Sequence, residues 1–320
     1  MSIVEIAKET GVSCATISRV LNTPEKVSPE TLARVRRACQ KFNFTPRVIP
    51  NRIKTVFLAI PSPGYFLVDD NIMVANIISS LNKYHYNAIV STLSEINNTP
   101  AIFQRAFIAI IHQGDIRSLD ILRKWALKCP VVAIDGVNEG VPPETTLVRS
   151  DHRQGVSMAI EYLLKSGHQR IGYVGLDMDL LGCRERFLGY KTTMEQQGLY
   201  SERLVFLNNR EVLLEGINRL GKEKISALFI SESTLTLRVL YYLKLLGKDV
   251  PGDISVISSE FAGGTEFLYP PLTCIVQPLD ILAELVVEKL MRRLQGEETK
   301  ERREYYVPYA MVKRESVNII

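Results

Sequence analysis

The opening residues of the chain repeat apolar positions with the period of amphipathic helices. Ile3 and Ile6 lie on one face of a first predicted helix, which stops at Gly11. Ser13 is a suitable N-cap for a second helix, and Ser28, followed by proline and glutamate, opens a third. Two helices joined by a short turn that contains glycine form a helix-turn-helix, whose second helix fits the major groove of DNA.

From Thr55 onward, short β-branched runs alternate with longer helical patterns. Strands are predicted at residues 55–61, 87–93, 107–111, 131–134, 170–175, 227–231 and 254–258. Helices are predicted at residues 72–84, 118–127, 154–165, 183–197, 211–221, 234–246 and 280–294. The alternation predicts parallel sheets covered by helices, and the two consecutive sets of strands indicate two lobes with a cleft between them. The predicted fold class is therefore α/β, with a small all-α head.

Composition and charge distinguish the head from the rest of the chain. The 320 residues, 46% of them hydrophobic, suffice for about two domains. Residues 1–54 hold ten Lys and Arg against four acidic residues, a net charge of +6, so the remainder carries −2 of the total of +4. A basic head on a nearly neutral body is expected where a small domain binds a polyanion. No apolar run approaches the ~18 residues of a membrane span and no signal-peptide pattern is visible, so we expect a cytoplasmic protein without membrane contact.

The sequence lacks the common signatures of catalysis and metal binding. It contains no phosphate-binding glycine loop, no nucleophile elbow and no zinc-protease pattern, and its four histidines share no ligand spacing. Its five cysteines form no C-x-x-C pair and are expected to be reduced thiols. The sequence therefore predicts a protein that is not an enzyme and that needs no cofactor or metal.

The outer face of the second helix carries side chains suited to reading DNA. Ala15 offers a methyl group to a thymine methyl, and Arg19 can make a bidentate contact to guanine O6 and N7. Thr16, Ser18 and Asn22 suit phosphate contacts, which set register without carrying sequence information. The alternative is a basic face that meets only solvent.

Three runs of the head, IVEIAKETGVSCATISRVLN from Ile3, VSPET from Val27 and FNFTP from Phe42, resemble the N-terminal part of LacI/GalR-type bacterial transcription regulators. Several runs of the body, such as VPGDISV from Val250, fall in the order of the same family. The resemblance implies a helix-turn-helix DNA-binding domain at residues 1–44, a hinge at 45–54, and a two-lobed, periplasmic-binding-protein-like core at 55–320 that binds an effector and dimerises.

The resemblance also places Cys14 with Ala15 and Arg19 in base-reading positions. The full set of predicted DNA-binding residues is Ser13, Cys14, Ala15, Thr16, Ser18, Arg19, Asn22, Asn51 and Ile53. The hinge departs from the family, because Pro50 lacks an N–H and breaks a helix through this segment. Ile53 can still wedge into the minor groove as an apolar side chain. A flexible basic linker is the alternative.

In this family a sugar or another small metabolite usually binds between the lobes. The resemblance aligns Asp151, Arg184 and Glu260 with residues that line this cleft, Arg184 as an anchor for a carboxylate or phosphate and the two acids as acceptors from hydroxyls. Glu232 stands where relatives usually have asparagine, so the hydroxyl-binding chemistry is altered. The predicted effector-binding residues are Tyr65, Phe66, Asp151, Arg184, Glu232 and Glu260. Interlobe salt bridges, surface charges and aromatic core positions are the alternatives.

Together these features imply a homodimeric, sequence-specific DNA-binding regulator, which we expect to be a repressor. Its expected partners are double-stranded operator DNA and a small-molecule effector, a sugar or related metabolite, that controls operator affinity from the cleft. Two alternatives stay open. The regulator is controlled by a protein partner instead of a ligand, or the chain is a non-regulatory small-molecule-binding protein.

Overall fold

The computed structural model describes residues 3–22, 26–42, 54–60, 68–92, 108–112, 123, 129–136, 141–176, 181–208, 212–260, 262–296 and 304–320. The chain divides into two compact units, Met1–Ile53 and Lys54–Ile320. The predicted hinge at residues 45–54 lies, except for Lys54, outside the described residues, so its boundaries stay a prediction.

Three helices build the first unit, at the positions that the sequence predicts. They are α1 (Ile3–Thr10), α2 (Cys14–Asn22) and α3 (Pro29–Lys41). Both predicted N-caps form, since Ser13 Oγ accepts the Thr16 N–H at 3.1 Å and Ser28 Oγ accepts the Thr31 N–H at 3.4 Å. The apolar faces of the helices meet in a core of Ile6, Ile17, Val20, Val35 and Ala38.

Two six-stranded sheets form the second unit. The first sheet has the order β11-β5-β4-β3-β1-β2 and the second the order β12-β10-β9-β8-β6-β7. The strands are β1 (Thr55–Ile60), β2 (Asn87–Thr92), β3 (Ile108–His112), β4 (Val131–Ile134), β5 (Thr145–Ser150), β6 (Ile171–Gly175), β7 (Val205–Leu207), β8 (Ala227–Ile230), β9 (Ser255–Ser259), β10 (Thr273–Val276), β11 (Glu304–Val307) and β12 (Ala310–Val312). Among the described strands every pairing is parallel except that of β10 with β12.

Helices cover these sheets as expected for strands that are buried on both faces. The helices are α4 (Val68–Lys83), α5 (His152–Lys165), α6 (Leu181–Gln196), α7 (Leu213–Lys222), α8 (Ser233–Leu245) and α9 (Leu279–Leu294). In the second sheet, Tyr173 and Phe229 pack under α5 and α6, whereas their neighbours Val174 and Leu228 pack under α7 and α8. Helices α4 and α9 share a core with the first sheet. The predicted helix at residues 118–127 lies outside the described residues, apart from residue 123.

The chain passes between the two sheets three times, after β5, after β10 and after β11. The predicted α/β class with two lobes is confirmed, and the seven predicted strands fall in two consecutive sets, four in the first sheet and three in the second. The strand β11, which the sequence did not predict, returns to the edge of the first sheet. The sequence did not predict β5, β7, β10, β11 or β12. Within the described part of the chain, no helix is long and apolar enough to span a membrane.

Candidate functional site

Helix α2 turns one side to the core of its unit and the other to solvent. Ile17 and Val20 are buried, whereas Cys14, Ala15 and Arg19 are exposed. The exposed residues have the helical spacing that places them on one outer face. Small side chains beside an arginine on such a face suit a recognition helix in the major groove.

Local contacts fix the position of this helix. Ser13 is exposed, and its hydroxyl lies 2.9 Å from that of Thr16, which is half-buried. An ion pair of 2.8 Å between Lys41 and Glu9 links α3 to α1, and the apolar faces of all three helices meet in the core of the unit. The exposed face of α2 is therefore presented by a small scaffold with its own core.

The second candidate site is a cavity of about 410 Å³ where the two lobes meet. It lies beside the carboxyl ends of β4 and β5 and the amino ends of α5 and α6, the position at which open α/β sheets bind small ligands. The lining residues are Asp135, Arg149, Ser150, Asp151, His152, Arg153, Leu181, Glu185 and Tyr306. We call this cavity the interlobe pocket.

Both arginines of the interlobe pocket already have carboxylate partners. Arg149 lies 3.1 Å from Glu304, and Arg153 donates two hydrogen bonds to Glu185. The hydrogen bond that Arg153 donates to Glu185 raises the pKa of Arg153. The walls of the pocket are therefore polar, and their cations are compensated within the protein.

A hydrogen-bonded cluster ties the lobes together next to this pocket. The Asp135 carboxylate, at the end of β4, accepts the Ser150 N–H at 2.7 Å. Gln277, which follows β10, donates to the Ser150 hydroxyl at 2.6 Å and to Asp135 at 3.4 Å. Because β10 belongs to the second sheet, these bonds connect the two lobes directly.

A second chain of contacts leads from this cluster to a buried ion pair. His152 Nε2 is 3.7 Å from Asp135 Oδ1, and His152 Nδ1 is 2.9 Å from the hydroxyl of Tyr309. Burial raises the pKa of Tyr309, and the guanidinium of Arg186, which hydrogen-bonds this hydroxyl, partly opposes that rise. Arg186 in turn donates to the Glu232 carboxylate at 2.6 Å.

The Arg186–Glu232 pair is almost fully enclosed, with 14% of the Arg186 side chain and 4% of the Glu232 side chain exposed. Burial alone would lower the pKa of Arg186, but the charge of Glu232, together with smaller contributions from Tyr309 and Cys183, outweighs it and the pKa is raised. The Cys183 thiol also donates to Glu232, at 3.4 Å, and its pKa is raised chiefly by burial. Among the described residues, Arg186 Nε has no hydrogen-bond partner. A buried donor of this kind is what a polar ligand can satisfy.

Glu260 belongs to a separate cluster of the second lobe. Its carboxylate accepts the N–H and the hydroxyl of Thr265 and the thiol of Cys274, the last at 3.3 Å. Arg314 Nη1 lies 3.8 Å from the same carboxylate and donates to the Leu272 carbonyl oxygen at 2.8 Å. Burial raises the pKa of Cys274, so this thiol stays protonated. These contacts tie β10 to the segment that follows β9.

The predicted effector residues are divided among these places. Asp151 lines the interlobe pocket and caps α5 by accepting the Gln154 N–H at 3.0 Å. Arg184 is exposed, whereas Glu232 is buried against Arg186. None of these three is among the described residues that line the pocket.

The sequence reasoning chose Arg184 and overlooked Arg186. Helical spacing contained the missing signal, because Arg186 lies three residues after Cys183 and four before Tyr190, and both of these are buried. Tyr309, His152, Asp135 and Gln277 were also missed, since no local pattern marks residues that the crossings bring together. The side chains of Ser18 and Asn22, and the residues Asn51, Ile53, Tyr65 and Phe66, lie outside the described part of the chain.

A three-helix unit with an exposed second helix, followed along the chain by a two-lobed α/β core with a polar pocket, is the architecture of a DNA-binding protein with a second, ligand-binding-type domain. Residues 2–47 match the profile of bacterial regulatory proteins of the lacI family, and residues 160–317 match that of the periplasmic binding protein-like domain. The chain therefore has a lacI-family DNA-binding domain followed by a periplasmic-binding-protein-like domain, and it is a DNA-binding transcription regulator.

Similar proteins extend over the whole chain. The HTH-type transcriptional repressor PurR of Photobacterium profundum is 25% identical over 99% of this chain and 98% of its own length. The sucrose operon repressor of Streptococcus mutans is 25% identical over 98% of each chain. A lac repressor dimer bound to operator and an anti-inducer superposes with a TM-score of 0.85 at 20% identity over 99% of both chains. A CelR–cellobiose complex superposes with a TM-score of 0.72 at 23% identity, again over 99% of both chains.

Proposed function

We propose that the chain is a transcriptional repressor that binds operator DNA as a homodimer in the cytoplasm and responds to a small, uncharged, hydroxyl-bearing ligand in the interlobe pocket. The observation that carries this proposal is the buried Arg186–Glu232 pair. It lies next to the polar contacts from Asp135 through His152 to Tyr309, which connect the two lobes. Repression is supported by the relatives, which include PurR and sucrose operon repressors.

In the DNA complex, the exposed face of α2 enters the major groove. Cys14, Ala15 and Arg19 read base edges there, while Ser13, Thr16, Ser18 and Asn22 contact the phosphates. The exposure of the first three residues supports this division. Asn51 and Ile53 contact the minor groove, as the family resemblance implies.

The ligand class follows from the charge partners. Because Glu232 already neutralises Arg186, and Arg149 and Arg153 have carboxylates of their own, an anionic ligand would gain no uncompensated cation here. A neutral molecule with several hydroxyls, such as a sugar or related metabolite, can donate to the carboxylates of the pocket. A hydroxyl that extends past the lining residues can accept from Arg186 Nε, which has no hydrogen-bond partner among the described residues. Structures of relatives described with cellobiose and with bound ribose support this class.

Control of DNA binding is a shift between two arrangements of the lobes. A ligand acts on this equilibrium only if it binds the two arrangements with different affinity. The Gln277–Ser150 and His152–Tyr309 hydrogen bonds span the crossings, and they are the contacts that such a shift would change first.

An exposed apolar stripe on α8 supports the homodimer. Leu237, Tyr241 and Leu245 follow one another at intervals of four residues and are 54%, 60% and 58% exposed. Residues at this spacing share one helix face, and an exposed apolar patch of this kind marks an interaction surface. Phe267 and Tyr269, on another exposed segment of the same lobe, add large apolar surface. A Tyr241→Glu variant should therefore sediment as a monomer, whereas Lys244→Gln on the same helix should remain dimeric.

Selection of binding sites from random duplex DNA tests the regulator. We expect a near-palindromic consensus, and the absence of any enriched sequence would contradict specific operator binding. A panel of neutral sugars is then tested for its effect on the affinity of the selected operator. The effect should persist in Arg184→Gln and disappear in the double variant Arg186→Met/Glu232→Leu. If no sugar acts but an added bacterial protein fraction does, control by a protein partner replaces control by a ligand.

A further inference from the structure

A second cavity lies at the opposite end of the second sheet from Glu232 and Glu260. It has a volume of about 440 Å³ and sits between the carboxyl ends of α7 and α8, next to the residues that lead into β8 and β9. Its floor includes Leu228, Leu243 and Ile254, all from the apolar core under these helices. We call it the basal pocket, and its size falls in the range of small-molecule sites.

Three lysines surround this apolar floor. Lys222, Lys224 and Lys248 all line the basal pocket and are exposed. Within the described part of the chain, none of their ammonium groups has an ion-pair or hydrogen-bond partner. The one acidic residue among the lining residues is Asp253, whose carboxylate accepts the Asp249 N–H of its own loop at 2.8 Å.

Helix dipoles explain only one of these lysines. Lys222 belongs to the last turn of α7, where a cation offsets the partial negative charge of the helix end. Helix α8 has Lys244 for the same purpose, and Lys244 does not line the basal pocket. Lys224 and Lys248 lie beyond the helix ends. The three lysines outweigh Asp253 and the roughly half negative charge at each of the two helix ends. The lining of the basal pocket therefore keeps a net charge of about +1.

The backbone at Lys224 is a second unusual feature. Helices α5, α6, α8 and α9 are each followed by a glycine with positive φ, the residue that adopts this left-handed conformation without strain. The corresponding residue after α7 is Lys224, with φ of 53°. A lysine is therefore placed where glycine is the less strained choice, and its ammonium group borders the pocket.

We propose that the basal pocket binds an amphipathic organic anion, with an apolar chain on the Leu228, Leu243 and Ile254 floor and a carboxylate facing the three lysines. The apolar part of such a ligand would pack on the apolar floor of the pocket, and its single negative charge would neutralise the remaining positive charge of the lysines. This site is separate from the interlobe pocket, with which it shares no lining residue.

Calorimetric titration of the full chain with sodium octanoate tests the proposal, with octanamide as the uncharged counterpart. We expect one octanoate to bind per chain and octanamide to bind more weakly. Lys224→Gly and Lys248→Gln should each weaken octanoate binding about fivefold, the upper range for an exposed charge pair. Lys224→Gly suits the left-handed backbone and should melt no lower than the wild type, so a loss of binding cannot come from unfolding.

Two controls complete the experiment. Lys244→Gln removes a lysine of α8 outside the pocket and should leave octanoate binding unchanged. The double variant Arg186→Met/Glu232→Leu changes residues that do not line the basal pocket and should also leave octanoate binding unchanged. The proposal is overturned if octanoate does not bind, if octanamide binds equally well, or if Lys244→Gln weakens binding as much as Lys224→Gly does.

Discussion

Removing the Glu232 carboxylate should lower the free energy of unfolding, because it breaks the buried ion pair with Arg186. In Glu232→Leu the guanidinium of Arg186 stays in an enclosed site without its main partner, and breaking a buried pair in this way costs about 3–5 kcal/mol. Because 14% of the Arg186 side chain remains exposed and Tyr309 still hydrogen-bonds it, we expect the lower end, about 3 kcal/mol. For the unit Lys54–Ile320, that corresponds to a fall in Tm of roughly 5 °C.

Urea unfolding followed by circular dichroism measures this cost in a double-mutant cycle of Glu232→Leu, Arg186→Met and the two combined. The combined variant should recover most of the lost free energy of unfolding, because apolar residues of similar volume replace a buried pair without leaving a charge behind. The reasoning fails if Glu232→Leu costs less than about 1 kcal/mol, or if the combined variant loses the sum of the two single costs.

Three further outcomes are expected. In α7, Gly216→Ala should cost about 1–3 kcal/mol in urea unfolding, since a Cβ there would lie 2.2 Å from the Phe206 ring, whereas Gly221→Ala has free space and should be neutral or stabilising; equal costs would contradict this. Arg19→Ala should relax the preference for one guanine in selected sites by about 1–3 kcal/mol, and an unchanged consensus would refute a base-reading role. Burial lowers the pKa of His168 below 6.5, so the unfolded chain takes up the proton first and the free energy of unfolding should fall as the pH drops below about 6.5. His168→Gln should flatten this pH dependence, and an equally steep curve would exclude His168 as its source.

Local signals in the sequence were sufficient for the head. The caps at Ser13 and Ser28 and the spacing of Ile17 and Val20 are properties of neighbouring residues, and they predicted the three helices closely. In the core, the continuous apolar run Val131–Ile134 predicts strand β4 with the bounds that the structure has, again because the signal lies in neighbouring residues.

The pocket depended on contacts that are distant in the sequence. Tyr309 meets His152 across 157 positions, and Gln277 meets Ser150 across 127, because three crossings bring them together. The short strand β12 has exposed or half-buried residues throughout, so no apolar run marked it. Arg184 was preferred to Arg186 because the family resemblance was applied without the helical phase that separates an exposed side chain from a buried one.

The central claim is that a ligand in the interlobe pocket and operator DNA shift the same equilibrium between two arrangements of the lobes. Linkage requires that the operator change the ligand affinity by the same factor by which the ligand changes the operator affinity. The direct test is calorimetric titration of the active sugar into the chain alone and into the chain saturated with the selected operator. The account predicts affinities that differ by about 5–150-fold, in the direction set by the effect of the sugar on DNA binding. Equal affinities with and without operator would contradict it.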